Sequence, residues 1–376
     1  MNILRKLFKP NYETFNRIEI VGNSLLHNLK YLKSLHPDAQ LFPVLKSNAY
    51  GHGLLEVCRV LNHSDVSMVA VDSFPEAQIV YDNFKGRVLI MSELPLQAYR
   101  YTDFSRTDFV VYNEETLRHL SKFGKKIAVH LFVDTGMNRE GVKNLDSFIA
   151  RNQKYLEKVE LSGLCSHLSS ADSNTGETKL QVERFAAMLK SLKQAGFSPR
   201  WKHIGNSAGL LSIEDAMFNA YRPGLAFYGY DPLSDARYHS ELKPALNLLS
   251  KVVAIHELKA GESVSYNKTY TVSENTKIAV IPIGYYEGLD MSYSGEKIFQ
   301  INPKEQGAFC RIAGRVCMNY CCVDIGQKSL NIGDDVKIIS SNPKDPNSIQ
   351  NLAKISDSMI YEVLVNVREN IRRIVV

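Results

Sequence analysis

Short apolar runs that alternate with amphipathic segments constrain the fold of this chain more than any other feature. From Gln40 to about Ala226 there are eight such runs, the number of strands that closes a parallel barrel. The segment 177–195 has a broad apolar stripe at helical spacing, as expected of a helix that covers a barrel. The predicted strands are 41–45, 67–71, 88–91, 109–112, 127–133, 159–165, 201–204 and 218–222. The sequence therefore predicts an α/β chain that begins with a (β/α)8 barrel of the TIM type.

The pattern changes after residue 242. Apolar runs at 246–256, 277–283, 308–322 and 335–339 are joined by turns rich in Gly, Asn, Asp and Pro, and are typical of strands. A chain of 376 residues is also longer than most single domains. We therefore expect a barrel over residues 1–242 and a β-rich domain over residues 243–376.

Polar residues follow several of the predicted barrel strands at their carboxyl ends. Barrel enzymes hold their catalytic residues at this face, and the loops after the seventh and eighth strands often bind phosphate. These residues are Lys46 after the first run, Arg139 after the fifth, His167 after the sixth, Asn206 and Ser207 after the seventh, and Arg222 and Gly224 after the eighth. The positions predict a phosphate-binding active site at the barrel mouth. His130 and His52, by contrast, are expected to be structural.

Lys46 ends an apolar strand and begins a polar loop punctuated by Gly51 and Gly53. An amine attacks a carbonyl only when it is neutral, which desolvation or a nearby cation favours. A buried lysine at a strand end would meet this need. The local sequence alone makes Lys46 a candidate for imine chemistry.

Composition excludes several classes of protein. The net charge of +5 is small for this length and is interspersed with acidic residues, which argues against a nucleic-acid surface. The six cysteines lack the paired spacing of a metal site, so no metal is expected. Residues 1–10 lack the apolar core of a secretion signal, and no window is apolar enough to span a membrane. We expect a cytoplasmic protein that acts on a small molecule.

Segment 44–53 (Val-Leu-Lys-Ser-Asn-Ala-Tyr-Gly-His-Gly) closely resembles the pyridoxal-phosphate segment of the alanine racemase family, the fold-type III pyridoxal-phosphate enzymes. Further segments similar to that family follow in the same order, at 133–139, 166–167, 205–208, 222–224, 264–266, 283–285, 314–318 and 361–364. Because they extend over both predicted domains, coincidence is improbable.

The resemblance implies a cofactor, pyridoxal 5'-phosphate (PLP), and a role for each matching residue. Lys46 and Tyr266 would be the two catalytic bases, acting on the D- and L-amino acid respectively, with Tyr266 contributed by the second subunit of a homodimer. The implied cofactor-binding residues are Lys46, Tyr50, His167, Asn206, Ser207, Arg222, Gly224, Leu225 and Tyr361, and the substrate-binding residues are Arg139, Met318 and Tyr285. Arg222 would face the pyridine nitrogen, and a guanidinium cannot give up its proton to the ring. This favours proton exchange over wider side reactions.

The chain departs from the family at three places near the substrate. Phe132 stands where the family commonly has a lysine modified to a carbamate, so another group must orient Arg139. Asn319 replaces the usual aspartate after Met318, and Tyr286-Glu287 replaces a small residue and an aspartate after Tyr285. These changes affect substrate handling and leave the cofactor residues intact.

The first functional prediction is interconversion of L- and D-alanine by two-base proton transfer, supplying D-alanine for peptidoglycan. A second is racemisation of serine or a broader set of amino acids, suggested by Phe132 and Asn319. Amino-acid decarboxylation on the same architecture is a third, although that family's glycine-rich phosphate segment and cysteine signature are not evident. A non-catalytic PLP-binding protein is the non-enzyme alternative, but single-barrel carriers lack the domain that contains Tyr266.

Overall fold

A computed structural model describes residues 13–123, 126–303 and 307–376. The segment 1–10, expected to carry no secretion signal, lies outside the described residues. The chain divides into two compact units. One is Val21–Ala245, and the other joins the N-terminal segment ending at Ile20 to Leu246–Ile374. Each unit is described by itself.

The first unit contains the predicted parallel barrel. Its strands are Gln40–Leu41, Met68–Val71, Arg87–Ile90, Thr107–Val111, Ala128–Phe132, Glu160–Cys165, Trp201–His203 and Ala220–Tyr221. The six strands from Met68 to His203 pair in chain order, and Gln40–Leu41 pairs in parallel with Ala220–Tyr221. Backbone hydrogen bonds join the two sets, from Leu45 to Ala70 (2.7 Å) on one side and from Arg222 to Gly205 (2.9 Å) on the other. All eight predicted strands are therefore present, and they close into a ring.

The first and last barrel strands are shorter than predicted. Pro43 lies within the first predicted strand and Pro223 directly follows the last, and proline has no N–H to donate to a sheet. The chain here remains extended, with a bridge between Val44 and Ala70, although the regular ladder is interrupted. The order of the strands around the barrel is unaffected.

Helices connect these strands. Their bounds are Gly22–Leu35, Leu54–Leu61, Phe74–Asn83, Glu114–Leu120, Leu145–Leu156, Thr175–Gln194 and Ser207–Ser212, with single 3-10 turns at Leu96–Tyr101 and Ser121–Phe123. The apolar stripe predicted at 177–195 is part of the longest of them. Its buried residues include Phe185, Leu189 and Leu192, as expected for a helix packed on a barrel.

The second unit is the predicted β-rich region. Among the described residues its main sheet has nine strands, in the spatial order Ala254–Leu258, Thr276–Ile281, Cys321–Gly326, Phe309–Ile312, Phe299–Ile301, Asp335–Ile339, Leu246–Lys251, Arg17–Ile20 and Arg372–Val375. A hairpin of Ser263–Val264 with Tyr270–Thr271 is separate. The unit also has the helices Ile349–Ile355 and Ile360–Asn366 and 3-10 turns at Tyr266–Lys268, Tyr285–Glu287 and Met291–Tyr293.

Two features of this unit differ from the sequence-based expectation. Strand Arg17–Ile20, expected to belong with the barrel, pairs antiparallel with Leu246–Lys251 in the β-rich sheet. The predicted run 308–322 is two strands, because the chain turns at Gly314, whose φ of +81° is accessible to glycine without strain. Local patterns detected the strands but not the long-range pairing.

Candidate active site

Lys46 lies at the barrel mouth, directly before an unusual turn. Ser47, Asn48, Ala49 and Tyr50 have φ values of 54°, 53°, 54° and 52°, a left-handed conformation that costs non-glycine residues about 1–2 kcal/mol each. Backbone bonds from Ala49 to Leu45 (2.8 Å) and from Gly51 to Ser47 (3.1 Å) stabilise the turn. A strained segment that follows a candidate catalytic lysine indicates a functional constraint.

The side chain of Lys46 is less buried than expected. It is 38% exposed, and its Nζ lies 3.8 Å from Oδ2 of Asp72, which follows the next barrel strand. The expectation that this amine is buried is therefore wrong. The amine instead lies at an open mouth opposite a carboxylate.

Glu76 connects the lysine turn to the neighbouring helix. Its carboxylate accepts backbone N–H bonds from Ser47 (2.6 Å), Asp72 (2.9 Å) and Ser73 (3.1 Å). Ser73 and Glu76 also form the capping box of helix Phe74–Asn83. The sequence-based reasoning missed Glu76, although the capping-box pattern Ser-Phe-Pro-Glu is readable at 73–76. One carboxylate thus fixes a helix start and the segment that positions Lys46.

A cradle of hydrogen-bond donors lies after the seventh and eighth strands. The hydroxyl oxygen of Ser207 accepts N–H bonds from Gly224 (2.9 Å) and Ala226 (3.1 Å), which leaves its proton for a ligand. The N–H of buried Leu225 has no acceptor among the described residues. A Cβ on Gly224 would lie 2.6 Å from the hydroxyl oxygen of Tyr50, so any larger residue would displace the Tyr50 side chain from the cradle. Donors around an orphaned, buried N–H fit a phosphate group.

Asn206 contributes differently. Its side-chain oxygen accepts the N–H of Gly209 at 2.9 Å and caps helix Ser207–Ser212. The structure therefore places Asn206 beside the cradle, with its side-chain oxygen engaged in ordering the loop.

Arg222 is buried next to the cradle. Its Nη1 donates to the ring and the carbonyl of His203, and its Nη2 donates to the carbonyl of Ser166 (2.6 Å) and contacts Nδ1 of His167 (3.4 Å). These bonds leave Nε–H without an acceptor among the described residues. Burial, together with the charge of Arg222, lowers the pKa of His167 to about 3, so this imidazole is neutral at neutral pH. The spare N–H suits a ring nitrogen, as the resemblance implies for PLP.

Arg139 has an acidic partner that the sequence-based reasoning did not name. Its guanidinium forms two bonds to the carboxylate of Glu140, from Nε and from Nη2 (2.7 Å). Phe132, buried in the barrel interior, cannot supply such an acceptor. The negative charge of Glu140 also raises the pKa of buried Arg222 against the larger effect of burial, so Glu140 lies within electrostatic range of that residue. Glu140 therefore supplies the carboxylate acceptor for Arg139 that the phenyl ring of Phe132 cannot provide.

In the β-rich unit, Tyr266, Tyr285 and Met318 share one loop cluster and are 68%, 40% and 55% exposed. The N–H of Tyr285 donates to the carbonyl of Cys317 at 3.0 Å, and the hydroxyl of Ser265, next to Tyr266, exchanges bonds with the backbone of Arg315. Tyr361 lies on helix Ile360–Asn366 of the same unit and is 40% exposed.

Two departures from the family pattern compensate each other in this unit. The amide of Asn319 donates to the carboxylate of Glu287 at 3.0 Å, and Glu287 also accepts the N–H of Gly284 at 2.8 Å. An aspartate at position 319 would instead place two carboxylates together, an arrangement that costs free energy. Asn319 and Glu287 are therefore a matched pair.

A parallel barrel has a lysine, a cradle of hydrogen-bond donors and a buried arginine at its mouth, and a β-rich unit follows it in the chain. This combination defines the class of fold-type III PLP enzymes. Comparison with known proteins narrows the class. The family model of the alanine racemase N-terminal domain matches residues 20–232, and that of the C-terminal domain matches residues 245–375.

Comparisons with individual relatives indicate the same family. The chain is 33% identical over 360 residues to an alanine racemase of Borreliella burgdorferi, covering 92% of this chain and 93% of the relative. An alanine racemase structure from Clostridium difficile has a TM-score of 0.88 at 28% identity, covering 97% of each chain. One from Bacillus anthracis with bound L-Ala-P has a TM-score of 0.87 at 26% identity, covering 98% and 96%. The chain belongs to the alanine racemase family and is a PLP-dependent isomerase.

Proposed function

We propose that the chain interconverts L- and D-alanine by two-base proton transfer, with Lys46 and Tyr266 as the bases. The observation that carries the proposal is the barrel mouth. Lys46 lies there together with the cradle that Ser207 and Leu225 form and with the Nε–H of Arg222, which has no acceptor among the described residues. PLP, when bound, withdraws electrons from the Cα–H bond of an amino acid. Lys46 then exchanges the proton on one face and Tyr266 exchanges it on the other.

The cofactor is held at both ends in this proposal. Ser207, Gly224, Leu225 and Tyr50 bind the phosphate, together with Tyr361. Asn206 orders the phosphate loop through its helix cap. Arg222 donates to the ring nitrogen and keeps its proton, because a guanidinium is not deprotonated in proteins. Neutral His167, beside Arg222, completes the polar environment of the second base.

We further propose a homodimer in which Tyr266 of the partner subunit completes each active site. The support is the loop cluster of Tyr266, Tyr285 and Met318 in the β-rich unit. These three large side chains are exposed, and a contiguous exposed patch of large apolar groups is typical of an interaction surface. In this arrangement residues 243–376 carry the second base, and Tyr285 and Met318 border the substrate.

Arg139 is proposed to bind the substrate carboxylate. Nε and Nη2 of Arg139 donate to Glu140, so Nη1 of Arg139 remains to donate to the ligand. Paired bonds between a guanidinium and carboxylates give directional recognition as well as attraction. In this role Glu140 orients the arginine that the substrate meets.

We place the activity in the cytoplasm, where D-alanine is needed for peptidoglycan precursors. None of the described helices is long and apolar enough to cross a membrane.

The preferred substrate is a separate question. The relatives that match this chain over most of its length are named alanine racemases. We therefore rank alanine before serine or a broad specificity.

The decisive experiment incubates the purified protein with single L-amino acids in deuterated water and measures chirality and deuterium at Cα. Alanine should give both enantiomers with deuterium, and serine should react far more slowly. Equal rates for several amino acids would replace alanine with broad specificity. Loss of carbon dioxide would indicate decarboxylation, and bound PLP without exchange would indicate a non-catalytic carrier.

Two variants test the assigned bases. Lys46→Ala should abolish the visible absorbance of the lysine-bound cofactor, and retained absorbance would contradict the assignment. Tyr266→Phe should keep the cofactor bound but suppress deuterium exchange from L-alanine. Unchanged exchange would remove Tyr266 from the mechanism.

A further inference from the structure

A line of buried polar residues crosses the inside of the barrel and ends at Arg222. Asp108, His130 and His203 lie on three different barrel strands and are buried, as is Arg222. Nε2 of His130 is 3.0 Å from Oδ2 of Asp108, and Nδ1 of His130 is 2.7 Å from Nε2 of His203. Nδ1 of His203 then contacts Nη1 of Arg222. Four buried side chains thus form one continuous hydrogen-bonded line.

The chemistry of its two ends fixes the direction of every bond. A guanidinium only donates, so Nδ1 of His203 must accept and its proton must be on Nε2. That proton is donated to Nδ1 of His130, whose own proton must then be on Nε2. Asp108 can accept it, because burial raises the pKa of this carboxyl but its hydrogen bonds to His130 and Arg87 and the charge of Arg87 outweigh burial and lower it. Both imidazoles are neutral, and each donates towards Asp108.

The charged groups of this line lie at its two ends. Arg222 is a buried cation, and burial together with the charge of Arg139 lowers its pKa, whereas the charge of Glu140 raises it. Asp108, at the other end, is linked to Arg222 through two neutral rings. Its Oδ1 accepts from Nε of Arg87 at 2.8 Å, which anchors the far end of the line near the amino ends of the strands.

The backbone is shaped to admit this line. A Cβ on Gly163 would lie 2.4 Å from Nδ1 and 2.5 Å from Cγ of His130. The pairing of the two neighbouring strands shifts register between Val129 and His130. Only glycine at position 163 leaves space for the imidazole where it joins Asp108 to His203.

We infer that Asp108, acting through His130 and His203, is a positioning residue for Arg222 and thereby for the ring of the cofactor. This rests on the proposed function for its effect on PLP, but the line itself can be tested in the protein without PLP. The tautomers make the inference specific, since Asn at position 108 has one acceptor and one donor. If its NH2 group faces His130, every bond up to Arg222 must reverse, which the guanidinium cannot do.

The test uses histidine labelled with ¹⁵N in the protein without PLP, then PLP titration of the same samples. In the wild type both imidazoles should be in the Nε2–H tautomer at neutral pH. Asp108→Asn and Gly163→Ala should disturb these tautomers, shift the visible band of bound PLP and weaken PLP binding about tenfold. Thr107→Val, which changes a buried polar residue on the same strand as Asp108, should move neither signal.

Opposite tautomers in the wild type would overturn the inference, and so would variants that leave tautomers and band unchanged. An equal shift of the band in Thr107→Val would reduce the line to a structural role. If Asp108→Asn does not fold, the inference is still tested by the tautomers of the wild type and by the tautomers and visible band of Gly163→Ala. A wild type with the expected tautomers that binds no PLP would refute the proposed function and leave the line intact.

Discussion

Replacing Glu76 by glutamine should loosen the turn that positions Lys46. The carboxylate accepts three backbone N–H groups with its two oxygens, Ser47 on Oε1 and Asp72 and Ser73 on Oε2. A carboxamide has one oxygen, and its NH2 group would face N–H donors. Glu76→Gln therefore keeps the shape of the side chain and loses part of the attachment.

The magnitude follows from these contacts. A hydrogen bond to a charged group contributes about 1.5–3 kcal/mol, and because Glu76 is half-buried we take about 1 kcal/mol for each bond. Loss of one or two bonds then costs about 1–2 kcal/mol. The turn cannot absorb this easily, since four left-handed residues already cost about 4–8 kcal/mol. If this free energy is lost only from the turn conformation that binds PLP, the Kd for PLP rises about 5–30-fold.

The assay is titration of the PLP-free protein with PLP, with hydrogen exchange of residues 47–51 measured in parallel. Ser73→Ala is the matched control, because it removes the hydroxyl that accepts the N–H of Glu76 at the same helix start and leaves the bond to Ser47 intact. Loss of this cap costs about 1 kcal/mol of stability. A Kd for Glu76→Gln within twofold of wild type, or equal weakening in both variants, would refute the reasoning.

Three further predictions concern the barrel mouth. Gly224→Ala brings a Cβ to 2.6 Å from the hydroxyl oxygen of Tyr50, a movable side chain, so PLP binding should weaken about tenfold while the Tm changes little; an unchanged Kd would contradict the cradle. Glu140→Gln should raise the KM for alanine about fivefold with less effect on kcat, as expected from losing an exposed ion pair worth up to about 1 kcal/mol; a kcat effect alone would count against orientation of Arg139. The pKa of His167 is lowered to about 3 in the fold, so the unfolded chain takes up its proton first as the pH falls below about 6.5, and stability decreases from there towards pH 3. In urea titrations of the PLP-free protein, His167→Gln should reduce this slope by up to about 1.4 kcal/mol per pH unit, and an identical slope would disprove the shift.

Much of the fold follows from local sequence patterns. The eight barrel strands were predicted because each combines an apolar run with a helical connection, and the barrel is confirmed. The roles of the site residues stay predictions, although the structure brings Lys46, Ser207 and Arg222 to the expected face. The N-terminal strand was misplaced, since Arg17–Ile20 finds its partner more than 200 residues away. No local pattern encodes that pairing.

The sequence by itself determined the order of the barrel strands, the glycines that the turns require and which polar residues follow each barrel strand, because these depend on near neighbours and on side-chain periodicity. Tertiary structure alone decided that Glu76 accepts the N–H of Ser47 and that His130 joins Asp108 to His203. Each of these contacts depends on distances and proton positions between side chains brought together by folding. Such positions are fixed by closure of the barrel, which no short stretch of the chain specifies.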